Sequence, residues 1–312
     1  LPENHEKTSE SFSIYLPLST LSNAASTTTK WRAKETDMTS SVSTQGGFDS
    51  PLSAAITERD RNTMQMVRDA IKAKQVMLAY QPIVQTLRPD RPAFHEGLIR
   101  VLDRNGRVIP AREFIEVAET SETGRELDCL AIEMGLQTLL EQPEIRLSIN
   151  MSARSIGYPR WKEILMYGLA KDQTIAERLI LEITESSAML MPDLVSFFMT
   201  ELQTMGISFA LDDFGSGYTA FRYFKDFYFD MVKIDGEFIR GIANTPDNQV
   251  LTQALVSIAR HFDMYTVAEF VETKEDADYL ASIGIDCLQG HYFGVATIDP
   301  VWKQRAAQKI AS

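Results

Sequence analysis

The stretch LILEITESSAMLMPDLVSFFMTELQTMGISFALDD (residues 179–213) decides the fold. Its two ends, LILEIT (179–184) and SFALDD (208–213), are short apolar runs of the kind that form buried strands. Between them, residues 190–204 repeat apolar groups at helical spacing. Strand, helix and strand in so short a span is a β-α-β unit. Each strand also carries acid where only apolar residues are needed: Glu182 in the first, Asp212-Asp213 at the end of the second.

The same unit recurs on both sides. The strand-like runs are MLAYQPIV (77–84), FHEGLIRV (94–101), RLSINM (146–151), LILEIT, SFALDD, MVKID (231–235), YTVAEFV (265–271) and CLQGHYF (287–293). Helical patterns lie at 54–75, 111–119 with 124–141, 159–170, 190–204, 218–225, 247–262, 274–283 and 300–311. Strands and helices alternating over roughly 250 residues predict an α/β protein with a TIM-type (β/α)8 barrel. The rival, a doubly wound open sheet, usually opens on a Gly-rich phosphate loop, and this sequence has none. Residues 1–53 are rich in Ser and Thr, show no sustained periodicity, and read as an N-terminal tail or linker. One mildly apolar patch there, Phe12 to Leu21, is able to dock on the body. The barrel is expected over 54–312.

Composition narrows the function. With 43 acidic against 31 basic side chains the formal net charge is −12, a field that repels a nucleic-acid polymer in the absence of a basic patch. The two cysteines, Cys129 and Cys287, have no metal-type spacing, which points to a reducing, cytoplasmic compartment. No run approaches the roughly 18 apolar residues of a membrane span, and Leu1-Pro2-Glu3-Asn4-His5-Glu6 lacks the basic start of a signal peptide. The histidines, His5, His95, His261 and His291, have no zinc spacing, and His95 should point away from its neighbour Glu96.

The polar residues inside the strands carry the chemistry. They are Glu96, Asn150, Glu182, Asp212-Asp213, Lys233, Glu269 with Glu272 just beyond, and Gln289. Any one alone is better read as an ion pair, a turn residue or a surface group. Seven successive strands placing such a group near the same end is a different matter, because those ends meet at the barrel mouth. Gathering that many carboxylates requires cations, and Lys233 is the one fixed cation among them. Oxygen ligands without thiolate or imidazole suit Mg²⁺ or Mn²⁺. The number of ligands is enough for two ions, a device for attack of water on a phosphodiester. Lys233 either holds the attacking water or neutralises developing phosphoryl charge.

The motifs are, in order, Tyr80-Gln81-Pro82-Ile83, Glu96-Gly97-Leu98-Ile99-Arg100, Ser148-Ile149-Asn150-Met151-Ser152, Leu181-Glu182-Ile183-Thr184-Glu185, Leu211-Asp212-Asp213-Phe214-Gly215-Ser216-Gly217-Tyr218, Val232-Lys233-Ile234-Asp235, Ala268-Glu269-Phe270-Val271-Glu272-Thr273 and Gln289-Gly290. In these the chain, over about residues 60–295, resembles the EAL-domain cyclic di-GMP phosphodiesterases. The resemblance implies hydrolysis of cyclic di-GMP to linear pGpG by two-metal activation of water. It implies metal ligation by Glu96, Asn150, Glu182, Asp212 and Glu269, with Asp213 on the second ion. Lys233 would position or activate the water, and Glu272 and Gln289 would complete the catalytic set. Glu185 would anchor the loop at 213–222, which couples dimerisation to metal binding. Gln81, Leu98 and Arg100 would contact the dinucleotide, and a homodimer would form through residues 213–229.

Three departures from the family pattern stand out. Gly97 replaces the Ala of the signature tripeptide. Phe270 replaces a usual Gly, where a large ring is expected to crowd the pocket or shift Glu269. After Gln289-Gly290 the usual basic residue and Pro are missing. The last two motivate a rival function, a receptor that binds cyclic di-GMP without cleaving it and signals through a protein partner. A nucleotide-free interaction scaffold ranks third, since it has no use for the acidic set. The aromatic run Phe221 to Phe229 reads mostly as core, with a dimer surface as the functional alternative.

Overall fold

The computed structural model describes residues 51–216, 224–225 and 227–303, with the side chains of all of these except 51–55. Its strands are β1 (Val76–Gln85), β2 (Arg88–Leu102), β3 (Val108–Ile109), β4 (Leu147–Asn150), β5 (Leu179–Thr184), β6 (Ser208–Phe214), β7 (Met231–Ile234), β8 (Tyr265–Ala268) and β9 (Cys287–Gln289). They run in the order β1-β9-β8-β7-β6-β5-β4-β2-β3, and a further pairing of β1 with β2 closes the sheet. The result is an eight-stranded barrel with β3 attached outside the ring. All eight expected strands are present.

One feature differs from regular β/α alternation. β1 pairs antiparallel with both β2 and β9, while the pairs from β2 through β4 to β9 are parallel. Only Thr86-Leu87 separates β1 from β2. A parallel crossover takes a dozen or more residues, so this connection is necessarily a hairpin. The sequence carried the signal: only residues 85–93 lie between the first two apolar runs, too few for a helical crossover.

Helices cover the outside. They are α1 (Pro51–Lys72), α2 (Ile115–Glu119), α3 (Glu122–Glu141), α4 (Pro159–Lys171), α5 (Glu185–Leu190), α6 (Pro192–Gln203), α7 (Gly236–Ile239), α8 (Pro246–His261) and α9 (Lys274–Ile283). The segment expected to be helical from 54 thus starts at Pro51. The helix expected at 218–225 up to residue 223, the one at 300–311 beyond residue 303, and the tail at 1–50 fall outside the described residues. Proline opens α4, α6 and α8 at the first turn, where its missing N–H leaves no hydrogen bond unmade. Thr273 caps α9 by accepting from the Asp276 amide, and left-handed Gly284 ends it.

The core has two shells. Inside the barrel, Ile83, Phe94, Ile180, Ala210 and Val267 form an apolar floor. Between sheet and helices, Trp161 of α4 packs on Phe198 of α6, which packs in turn on Phe209 of β6. Phe224, Phe227 and Phe229 are buried in this shell, as the core reading of the aromatic run expects, while Tyr228 is exposed. Each fully buried side chain of this size stabilises by about 1.5–3 kcal/mol.

Gly97 answers to packing as well as to backbone entropy. A Cβ built there would lie 2.7 Å from Cδ1 of Ile149 on the neighbouring strand, and one at Gly135 of α3 would lie 2.8 Å from the same atom. Ile149 is held between two glycines, so the methyl has little room to yield. Gly97→Ala, although it restores the family's usual residue, is therefore expected to destabilise by about 1–3 kcal/mol through overpacking. Adding Ile149→Val, which removes Cδ1, should recover most of the loss. Urea unfolding of the three proteins checks this, and a Gly97→Ala protein as stable as wild type would show that Ile149 has slack.

Candidate functional site

Strand alternation turns every second residue into the barrel. Above the apolar floor the inward layer is polar all round. β1 supplies Gln81, β2 Glu96, β4 Asn150, β5 Glu182, β6 Asp212, β7 Lys233 and β9 Gln289, and Glu269 stands one residue past the end of β8. On β2, β5 and β6 the polar residue follows the floor residue by two positions: Phe94 then Glu96, Ile180 then Glu182, Ala210 then Asp212. On β1 the order is reversed, Gln81 before Ile83, because that strand runs the other way. The antiparallel strand thereby completes the ring as its eighth member.

Lys233 is the hub. It is 1% exposed, and its Nζ lies 2.7 Å from Glu269 Oε1, 2.9 Å from Glu182 Oε2, 3.0 Å from Asp212 Oδ1 and 3.4 Å from Glu96 Oε2. The amides fill in around it. Asn150 Nδ2 and Gln289 Nε2 each donate to Glu96 at 2.7 Å. Gln289 Nε2 also reaches Gln81 Oε1 at 3.3 Å, and Gln81 Nε2 donates to the Gly294 carbonyl at 3.1 Å.

One ammonium among four carboxylates leaves a deficit of positive charge. Burial would raise Glu96, but Lys233 and the donating amides hold its carboxyl below the usual range. Burial, reinforced by the Glu96 and Asp212 charges, pushes Glu182 up to about 8. Burial and Asp212 push Glu269 well above the carboxylate range, and the same two influences take Asp213 to about 6. Lys233, despite burial, is raised well above its ordinary value by Asp212, Glu182, Glu269 and Glu96 and stays charged.

These residues fit a hard divalent cation. Asp212, Asp213 and Glu269 offer oxygens that all lie within 4.8 Å of one another. The buried Glu182 Oε1 and Gln289 Oε1 have no hydrogen-bond partner among the described residues. The donors are oxygen throughout, as Mg²⁺ or Mn²⁺ prefers. Asp213 has φ +56, a left-handed turn that Asp tolerates, and it puts two adjacent carboxylates at one strand end. Glu185, first residue of α5, is buried and accepts from the Gly215 amide at 3.1 Å, tying that turn down.

Two cavities, or lobes, adjoin at Leu98. One, about 260 Å³, lies over the ring and is walled by Gln81, Leu98, Phe270, Glu272 and His291. The other, about 250 Å³, holds Arg100, Glu119, Arg125, Asp128 and Ser152. Leu98 borders both. Of the sequence-derived set, Glu272 is exposed on the cavity wall rather than in the ring, and Arg100 turns its Nη1 to the Ile99 carbonyl at 3.0 Å. His95 packs against Trp302 on the far side of β2, away from the site. Sequence reading missed the second lobe. Asp128, pushed up to about 7 mainly by burial, accepts from Ser155 Oγ and from the Ser152 amide. The available signal was an acid on an otherwise apolar face of α3. Phe270 has φ +52, the conformation a glycine would favour. With that ring beside it, Glu269 Oε1 lies 2.7 Å from Lys233 Nζ.

A family model described as the EAL domain matches residues 64–296. The chain belongs to the EAL domain family. Among curated relatives of this EAL chain, the cyclic di-GMP phosphodiesterase PdeF of Escherichia coli is 33% identical over 235 residues, covering 74% of this chain and 31% of that protein. The cyclic di-GMP phosphodiesterase PdeA of Borreliella burgdorferi is 30% identical, covering 76% and 36%. The chain thus spans about a third of the length of the curated relatives it matches. Among solved structures, the PaMucR phosphodiesterase in complex with c-di-GMP is 27% identical with a TM-score of 0.68, covering 78% of this chain and 99% of that one. The FimX EAL domain from Pseudomonas aeruginosa bound to c-di-GMP, at 22% identity, TM-score 0.69 and coverage of 76% and 97%, shares the fold. No helix among the described residues is long and apolar enough to cross a membrane.

The hub makes a prediction about the EAL barrel's stability. Lys233→Met leaves four buried carboxylates without their cation, so Glu182 and Glu269, already raised, hold protons more tightly still. Their pKa values in the folded state then lie above those of the unfolded chain, so stability falls as pH rises from about 4.5 through the raised values. The melting temperature of Lys233→Met should trail wild type by more at pH 8.5 than at pH 5.5, by scanning calorimetry. An equal deficit at both would mean the carboxylates do not depend on the lysine.

Proposed function

We propose that this EAL barrel is a divalent-cation-dependent phosphodiesterase that opens cyclic di-GMP to linear pGpG. The observation that carries the reading is the uninterrupted polar ring with its surplus of carboxylate oxygens around one buried lysine. Similarity to proteins named cyclic di-GMP phosphodiesterases supports the substrate, and the two lobes either side of Leu98 suit a ligand with two bases. The intact acidic set weighs against a receptor that binds without cleaving.

In this reading Glu96, Asn150, Glu182, Asp212 and Glu269 would hold one ion, and Asp213 would serve a second. When bound, such ions supply Lewis-acid polarisation of the phosphoryl oxygens and lower the pKa of the attacking water. Asn150 would contribute its Oδ1, leaving its N–H on Glu96. Lys233 keeps the carboxylates converged and, with three N–H donors, holds the water or the phosphoryl oxygen in line. The new bond joins water oxygen to phosphorus and the bond to the ribose oxygen breaks, with Glu272 and Gln289 at the wall completing the set. Gln81, Leu98 and Arg100 bind the dinucleotide, Arg100 offering its planar fork to phosphate. Glu185 steadies the turn after β6. A dimer through residues 213–229 and a tail before residue 51 complete the proposal.

Chromatography of cyclic di-GMP incubated with the protein and Mg²⁺ or Mn²⁺ should show pGpG, and Glu96→Gln should lower turnover by about 100-fold or more. No product with either metal, from folded protein, would overturn the assignment. Metal affinity should also depend on pH with a definite sign. Glu182 near 8 and Asp213 near 6 must release protons before they ligate. Mn²⁺ should therefore bind more tightly at pH 8.5 than at pH 6, with proton release visible in calorimetry across buffers. Affinity independent of pH would remove these two residues from the ligand set.

A further inference from the structure

Phe270 follows Glu269 at the top of β8, with its backbone in the left-handed region at φ +52. A phenylalanine there is strained where glycine would not be, so the ring needs a use. It is not core packing, for the side chain is 44% exposed.

The ring is held from behind. A Cβ at Gly236 would sit 2.3 Å from Phe270 Cδ2 and 2.7 Å from Cγ, so only a glycine at the start of α7 lets the ring lie against that backbone. The Arg240 guanidinium carbon is 4.0 Å from the ring centroid, a cation–π stack. Phe270 also walls the lobe over the carboxylate ring, and neither Gly236 nor Arg240 does. The ring therefore has a backed side, pinned by backbone and cation, and a side that borders the cavity. A cation behind an aromatic ring draws electron density away from the open face. That favours stacking against an electron-rich plane, and guanine is the most electron-rich of the common bases.

We propose that Phe270 is a stacking platform for one guanine of the dinucleotide, with Gly236 and Arg240 setting the angle of the ring. It is a residue of affinity and base preference rather than of bond breaking, and it replaces the expected obstruction by a binding surface. This inference rests on cyclic di-GMP being the substrate.

The test uses the whole chain and cyclic di-GMP itself. Phe270→Asn removes the ring but keeps a residue that accepts the left-handed backbone, so it should fold. Phe270→Trp keeps a platform. Stacking on an aromatic ring corresponds to about a 5- to 100-fold gain in affinity. Phe270→Asn should raise KM, and the Kd measured calorimetrically in EDTA, by that factor, with kcat within about threefold of wild type. Phe270→Trp should stay within a few-fold of wild type on all three, and its added tryptophan fluorescence should be quenched by cyclic di-GMP. If wild type binds the dinucleotide and Phe270→Asn binds it equally or more tightly, the platform is overturned while the substrate assignment stands. If wild type neither binds it in EDTA nor turns it over with Mg²⁺ or Mn²⁺, both are overturned.

Discussion

A single ammonium, Lys233, faces four buried carboxylates, and the rest of the site follows from how that imbalance is arranged. Desolvated carboxylates repel one another and hold protons until a cation relieves them. Lysine relieves part of the repulsion and fixes where the oxygens point. What it leaves unsatisfied is a set of oxygen donors of the kind a hard divalent ion prefers, with Asp212, Asp213 and Glu269 offering oxygens within 4.8 Å of one another. The barrel is what makes this possible: only a closed sheet brings one residue from each of eight strands to a common axis while the strands below close on an apolar floor.

Much of this is legible from the sequence because two periods coincide. A strand exposes alternate residues to the barrel interior, so an acid two positions after a floor residue, as in Ile180 and Glu182 or Ala210 and Asp212, declares both the strand and its role. Repetition across strands turned individually weak signals into a strong one. The reversed member, Gln81 before Ile83, was less legible, since its polarity runs against the others. The short gap to β2 was the clue that this strand is antiparallel.

Other features could not be read in one dimension. The jamming of Ile149 between Gly97 and Gly135 joins three elements distant in sequence, and so does the seat of Phe270 on Gly236 and Arg240. In both cases a substitution that looks minor or obstructive from the motif alone acquires its meaning from what lies across the gap. The second lobe is different: Asp128 stands on an otherwise apolar face of α3, but Ser152 and Ser155, which complete its surroundings, come from a segment more than twenty residues on.

In the proposed reading, the polar ring exists to hold divalent cations beside Lys233. Anomalous scattering from crystals grown with Mn²⁺ addresses it most directly. Manganese peaks are expected inside the mouth, one bound by oxygens of Glu96, Asn150, Glu182, Asp212 and Glu269 and a second at Asp213. A map with saturating Mn²⁺ and no peak within coordination distance of these oxygens, Lys233 still bridging the four carboxylates, would contradict it.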